Sequence, residues 1–202
     1  MADSKKKFPT WAIVLIVIAV LAIFCVTKYT GTYNNMVNLD ESVSSSWSQV
    51  QNQYQRRYDL IPNLVSTVKG YAAHEVDTLE KIVEERSKMG GVVNINADDP
   101  VAMERFMEEE ARITSSLQRL MVVSEAYPEL KANENFLALQ DELEGTENRI
   151  ATERKRFNDS VQSYNKYIRR FPNSIIANMS GFDKKPYFAA GSEAQNAPKV
   201  EF

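Results

Sequence analysis

One stretch near the N-terminus restricts this chain more than any other feature. From Phe8 to Thr27 there are 20 consecutive uncharged residues, and Trp11 to Val26 reads WAIVLIVIAVLAIFCV. A helix of 20 residues rises about 30 Å, the thickness of a bilayer hydrocarbon core. Lys5, Lys6 and Lys7 precede the run and Lys28 follows it. Trp11 and Tyr29 stand at its two ends, where amphipathic rings favour the membrane interface. The pattern predicts a transmembrane helix whose partner is the lipid bilayer. A cleaved signal peptide would need small residues just past the apolar run, and the sequence there is Cys25-Val26-Thr27-Lys28-Tyr29-Thr30-Gly31. A lipoprotein would use Cys25 as its acceptor, but the bulky Phe24 precedes it. An uncleaved signal anchor fits best, with Cys25 an apolar side chain in the membrane. Three lysines on the N-terminal side against Lys28 alone before Arg56 predict a cytoplasmic N-terminus, with the rest of the chain outside the cytoplasm.

Beyond the span the chain is a different material. Residues 29–202 carry 20 basic and 26 acidic side chains, a net −6 that the total of −3 understates. Glycine and proline number only 7 each, which argues against a turn-rich sandwich or barrel. Apolar residues fall at Met36, Leu39, Val43, Trp47, Val50 and Tyr54, spaced three or four apart as on one helical face. Pro62 suits the first turn of a helix better than its interior. A second helix is therefore expected from Asp59–Pro62, with Asp59 as a cap, although one long kinked helix over 33–89 is the alternative. Its stripe runs through Ile61, Leu64, Val65, Val68, Tyr71, Ala72, Val76, Leu79, Ile82 and Val83 to Gly90-Gly91. After a loop over 90–99, Asp99 before Pro100 marks a third helix, burying Ala102, Phe106, Ile113, Leu117, Leu120 and Met121 and stopping before Tyr127-Pro128. Asn133 can cap a fourth, whose stripe is Phe136, Leu139, Leu143, Thr146, Ile150, Phe157, Val161, Tyr164 and Ile168.

These elements predict an all-α protein: an N-terminal transmembrane helix followed by an up-down antiparallel four-helix bundle of long helices. Its divisions are a short basic N-terminus over 1–7, the anchor over 8–28, the bundle over 29–171 and a tail over 172–202. In such a bundle the last helix returns toward the membrane, so the tail should lie at the membrane-proximal end. The tail holds Ile175, Ile176, Met179, Phe182, Tyr187, Phe188, Val200 and Phe202, too many apolar groups for a solvated linker. It should pack on the bundle or serve as a strap for a partner or lipid.

Little in the sequence speaks for catalysis. Cys25 and His74 are the only cysteine and histidine, so neither a cysteine zinc site nor a multi-histidine metal site can form. A Glu-x-x-His di-metal pattern would need histidines that do not exist. Glu108-Glu109-Glu110 and the set Asp141, Glu142 and Glu144 read as solvated helix faces, and His74 as a surface or rim residue. No phosphate-binding glycine loop or nucleophile elbow occurs, and no basic excess invites nucleic acid. Arg56 and Arg57 read as the C-terminal end of the first bundle helix, favouring its dipole and pairing with Asp59, or as a docking site for an anionic partner at the membrane-distal tip. Trp47, Tyr54 and Tyr71 read as core aromatics rather than a ligand cage.

The blocks Tyr33-Asn34-Asn35-Met36-Val37, Ser46 to Gln51, Gln55-Arg56-Arg57-Tyr58-Asp59-Leu60-Ile61-Pro62-Asn63-Leu64-Val65, Val68 to Ala72, Tyr164-Asn165, Phe171-Pro172, Ile176-Ala177, Gly181-Phe182, Pro186-Tyr187-Phe188 and Pro198 to Phe202 occur in this order. Together they resemble the LemA family of bacterial membrane proteins across nearly the whole chain. The resemblance implies one N-terminal anchor, a compact helical domain, no established enzymatic activity, no cofactor and a link to membrane organisation. The motif residues it singles out for interaction are Trp47, Arg56, Arg57, Asp59, Pro62, Asn63, Tyr164 and Asn165. The expected role is that of a non-catalytic scaffold or adaptor at the cell envelope. Its partner would be an unidentified membrane or envelope protein, with homo-oligomers as a further possibility. An enzyme or accessory factor in envelope proteolysis or remodelling, and a self-assembling membrane organiser, are the competing readings.

Overall fold

A computed structural model describes residues 10–72, 74–90 and 95–188. Residues 1–9, including Phe8 of the expected span, residues 91–94 of the expected loop and residues 189–202 of the tail lie outside the described residues. Every element among the described residues is helical: α1 (Thr10–Tyr71), α2 (Val76–Gly90), α3 (Pro100–Glu125), the single turn α4 (Pro128–Lys131), α5 (Glu134–Ile168) and α6 (Asn173–Ser180).

Helix α1 is 62 residues long, about 93 Å at 1.5 Å per residue. Over Trp11–Val26 it is apolar on every side, and Trp11, Ile18, Phe24 and their neighbours are exposed among the described residues. It is long and apolar enough to cross a membrane. From Met36 onward one stripe sinks into a core: Met36, Val43, Trp47, Val50, Tyr54, Tyr58, Ile61, Leu64 and Val68.

The expected helix boundary at Asp59–Pro62 does not exist. The helix runs through Pro62 and stops at Tyr71. A proline at position 62 has no N–H to give the carbonyl of Tyr58 one turn back. Arg86 on α2 supplies the missing donor, its Nε bonding to the Tyr58 carbonyl at 3.1 Å. The apolar stripe also keeps its phase across Pro62, so burial of Tyr58, Ile61 and Leu64 holds both halves on one axis. The real break follows Tyr71, and His74 is an exposed turn residue rather than part of a helix.

Contacts across the helices give their directions. Arg86 meets Tyr58 and Trp47 meets Ile95, so α2 runs back along α1. On α3, Phe106 packs on Trp47 and Tyr54, and Glu110 meets Arg57, so α3 runs with α1. On α5, Asn133 meets Tyr71 and Phe157 meets Trp47, so α5 descends toward the apolar end. Asp99 caps α3 and Asn133 caps α5 through their side chains, as their sequence positions predict. The tail contains a helix that its irregular spacing did not announce, and α6 returns to the base of the exposed apolar segment, where the Tyr29 hydroxyl lies 3.4 Å from Ser180 Oγ. Gly181, at φ +74°, ends α6 in the left-handed region and turns the chain upward.

The coupling of Arg86 to Pro62 is testable in a double-mutant cycle on the full chain in detergent. Arg86→Met should cost about 1.5–3 kcal/mol, the range for a hydrogen bond to a charged group, read from denaturant midpoints. In a Pro62→Ala background, where residue 62 can donate to Tyr58 itself, the same change should cost less than half as much. Equal costs in the two backgrounds would refute the substitution of one donor for the other.

Candidate functional site

The centre of the helical domain is a charge. The Arg57 side chain has 0% exposure although it lies mid-helix on α1 in a row of exposed neighbours, Arg56 and Asp59 among them. Helical spacing explains this: Arg57 follows Tyr54 by three and precedes Ile61 by four, so it sits in the core stripe. Its Nη1 donates to Glu147 Oε1 of α5 at 2.9 Å, to Thr114 Oγ1 of α3 at 3.1 Å and to Glu110 Oε1 of α3 at 3.3 Å. The plane of the guanidinium faces two rings, with the Tyr54 centroid at 5.0 Å and the Tyr58 centroid at 5.5 Å. Nε and Nη2 have no hydrogen-bond partner among the described residues, and the two rings offer the cation their π faces instead.

A second arginine closes the cluster. Arg154 of α5 pairs with the same Glu110 oxygen at 2.8 Å, donates to the Tyr54 hydroxyl and stacks on Phe188 of the tail, 4.4 Å from the ring centroid. Burial alone would lower the pKa of Arg57, but Glu147, Tyr58 and Glu110 outweigh it and hold the group above its ordinary value. Burial pushes the Tyr58 phenol up to about 12. Tyr54 is raised further, by burial first and then by Glu110. Both phenols therefore stay neutral at physiological pH and act as hydrogen-bonding and ring surfaces. Around the cluster, Trp47, Phe106, Phe157 and Tyr54 fill the space between α1, α3 and α5 with ring centroids 4.9–5.4 Å apart.

The tail enters by a second device. Beyond Gly181 it runs antiparallel to α5, and two asparagines of α5 each bind both backbone groups of one tail residue. Asn165 accepts from Lys185 N at 2.9 Å and donates to its carbonyl at 2.9 Å. Asn158 does the same for Phe188, at 2.8 and 3.0 Å. Seven helical residues rise about 10.5 Å, and three extended residues cover about 10 Å, so the two clamps keep step. Lys185 is buried and its Nζ reaches Asp98 at 2.6 Å and Asp40 at 2.7 Å, tying the tail to the α3 entrance and to α1. Tyr164 donates to the Asp183 carbonyl at 3.0 Å, and burial, assisted by Asp40, Asp98 and Asp183, raises its phenol to about 12.

The sequence profile of the LemA family matches residues 46–202. The chain belongs to the LemA family. It is similar to the magnetosome protein MamQ of Magnetospirillum gryphiswaldense, 27% identical over 194 residues that cover 86% of this chain and 71% of the relative. The magnetosome protein MamQ 2 of Paramagnetospirillum magneticum is 26% identical over 196 residues, with the same coverage. The protein LemA of Metamycoplasma hominis is 27% identical over 177 residues, 86% of this chain and 77% of the relative. None of these names carries an enzymatic activity.

For this LemA-family chain, several sequence readings of the motif residues need correction. Arg56 and Arg57 do not end a helix, nor do they pair with Asp59. Arg56 is exposed and bonds Glu142 at 2.9 Å, while Asp59 accepts from Gln55. Arg57 is in the core, not at a tip. Glu110, read as solvated, is largely buried and pairs with Arg57, whereas Glu142 is exposed as expected and pairs with Arg56 at the surface. Tyr71 is exposed, its hydroxyl accepting from Asn133. Val83, read as core, is 52% exposed. Trp47, Tyr164 and Asn165 are buried, whereas Pro62 and Asn63 face outward. Asn158, Arg154, Glu147 and Lys185 were missed, because the partners that fix them are 20 or more residues away in sequence and no local pattern marks them. Among the described residues no three His, Cys, Asp or Glu side chains converge on one point.

Replacing Arg57 by Leu should cost about 3–5 kcal/mol, because Glu147 and Glu110 lose a buried counter-charge. Replacing Arg56 by Gln breaks an exposed pair and should cost less than about 1 kcal/mol. Urea denaturation of the full chain in detergent measures both. Similar costs for the two would contradict the central placement of Arg57.

Proposed function

We propose that this chain is a single-pass membrane protein with a cytoplasmic N-terminus, and that its helical domain lies outside the cytoplasm and works through contact with another membrane or envelope protein, without chemistry of its own. Family membership and the apolar first third of α1 support the membrane placement. The observation that carries the contact reading is an apolar groove of about 540 Å³ between α1 and α2, lined by Val65, Val76, Leu79 and Val83 and rimmed by Lys69, Glu80 and Glu84. An exposed apolar cluster with a charged rim is the usual anatomy of a protein interface. The interior cations, in contrast, are engaged with carboxylates and rings of their own chain. Relatives carry names from the magnetosome and from a mycoplasma, so one scaffold that meets different partners agrees with the family better than one conserved reaction. Uninterrupted helix between span and groove holds the contact surface at a set height above the bilayer, as a scaffold requires.

Val83 is exposed, so Val83→Glu should leave the thermal midpoint of the purified chain within about 2 °C. The same change should abolish the specific cross-linked partner seen when a photoreactive residue replaces neighbouring Ser87 in native membranes. Unchanged cross-linking, whether to a different protein or to a second copy of this chain, would remove the groove from the interface.

Orientation has its own test. With Cys25→Ser and a new cysteine at exposed Val101, an impermeant maleimide should label intact cells. Labelling only after lysis would reverse the topology.

A further inference from the structure

Helix α6 sits at a height fixed by its contacts. Its last residue, Ser180, meets Tyr29, two residues beyond the end of the apolar run, and Phe182 packs edge-on against Tyr33 with ring centroids 5.5 Å apart. Two residues of helix are about 3 Å and six are about 9 Å. The headgroup layer on each side of a bilayer is about 5–8 Å deep. The end of α6 therefore falls within that layer when α1 spans the membrane. Tyr29 and Tyr33 stack at 6.3 Å there, where tyrosine rings favour the interface.

The side of α6 turned from the domain is apolar. Ala177 is buried against the bundle, and Ile175 and Met179, two positions to either side of it, point the opposite way with 52% and 75% exposure. Phe171, in the turn that leads into α6, is 83% exposed. A soluble helix would carry polar groups on such a face. The charge around it is also unlike the rest of the domain. Residues 166–185 hold five basic residues and one acidic residue, Asp183, in a domain that is acidic overall. Among the basic ones Lys185 is engaged with Asp40 and Asp98. Lys166, Arg169 and Arg170 line a groove beside Tyr187 and have no ion-pair partner among the described residues.

We infer that the α5–α6 corner is a second membrane contact, in which the ridge Phe171, Ile175 and Met179 enters the bilayer interface while Arg169, Arg170 and Lys166 bind the phosphates of anionic phospholipids. An apolar ridge flanked by basic residues at headgroup height is the pattern of an interfacial helix. The surface it meets is the bilayer that holds the chain's own span, so the inference rests on the anchor reading under Proposed function. Such a contact would fix the tilt of the domain as α1 fixes its height.

Spin labels on the full chain, with Cys25→Ser and reconstituted in phosphatidylcholine vesicles with or without phosphatidylglycerol, test this. Single cysteines replace Ile18 in the span, Phe171 or Met179 on the ridge, and Val122, which is exposed on α3 far from the span. Collision with oxygen reports lipid and collision with a nickel chelate reports water. The labels at 171 and 179 should resemble that at 18 in phosphatidylglycerol vesicles. Removing Arg169 or Arg170 as Gln should weaken the lipid contact about fivefold per residue. If position 18 reads lipid while 171 and 179 read water like 122, the second contact is refuted and the anchor stands. If position 18 also reads water, the anchor reading fails and takes this inference with it. If 171 and 179 read lipid equally without phosphatidylglycerol and after both Arg→Gln changes, the phosphate recognition is refuted.

Discussion

Burying a guanidinium without exposure is the constraint on which the rest of this domain depends. A cation removed from water costs several kcal/mol unless its charge is answered where it stands. Arg57 has its answer from Glu147 on α5 and Glu110 on α3, and Arg154 shares Glu110. Three helices can satisfy this set in one axial register only. A slip of α5 by one turn, about 5.4 Å, would part Glu147 from Arg57 and Arg154 from Glu110, leaving the buried Arg57 with only one of its two carboxylates. Apolar packing alone would discriminate less sharply between registers, since one ring or aliphatic side chain replaces another at modest cost. The polar centre therefore selects one arrangement, while the aromatic shell around it supplies most of the burial.

The second dependence is mechanical. The apolar segment and the helical domain share one helix, and Pro62 interrupts its backbone hydrogen bonding. Its missing N–H is made good by Arg86 from α2, so the continuity of α1 is a property of two helices rather than of one. The helix ends at Tyr71, Glu75 N donates to the Ala72 carbonyl at 3.1 Å, and α2 runs back along α1.

Much of this was legible in the residues. The apolar run, the stripes of α1, α3 and α5, the caps Asp99 and Asn133, and the return of the tail toward the span follow from spacing and local chemistry. Pro62 misled because a rule about isolated helices was applied where a neighbouring side chain could repair the loss. The phase of Tyr58, Ile61 and Leu64 across it was the better guide. Arg57 misled for a related reason. Beside Arg56 it looks like a surface pair, and only its position in the stripe, three after Tyr54 and four before Ile61, hints at burial. The partners Glu110, Glu147 and Arg154 lie 53, 90 and 97 residues downstream, and nothing local links them. Asn165 stood out as part of a motif, but its clamp on Lys185 needs the path of the tail, which has no periodicity to reveal it.

That path bears on how the protein is made. The apolar segment of α1 is synthesised well before Phe188, which packs on Phe106 and covers Arg154. Domains fold as units while the chain emerges, yet this interior stays open on one side until the clamps at Asn165 and Asn158 receive the tail. A nascent chain therefore cannot close its core until that stretch has emerged, and a product truncated ahead of residue 188 would leave Phe106 and Arg154 without the ring that packs on both.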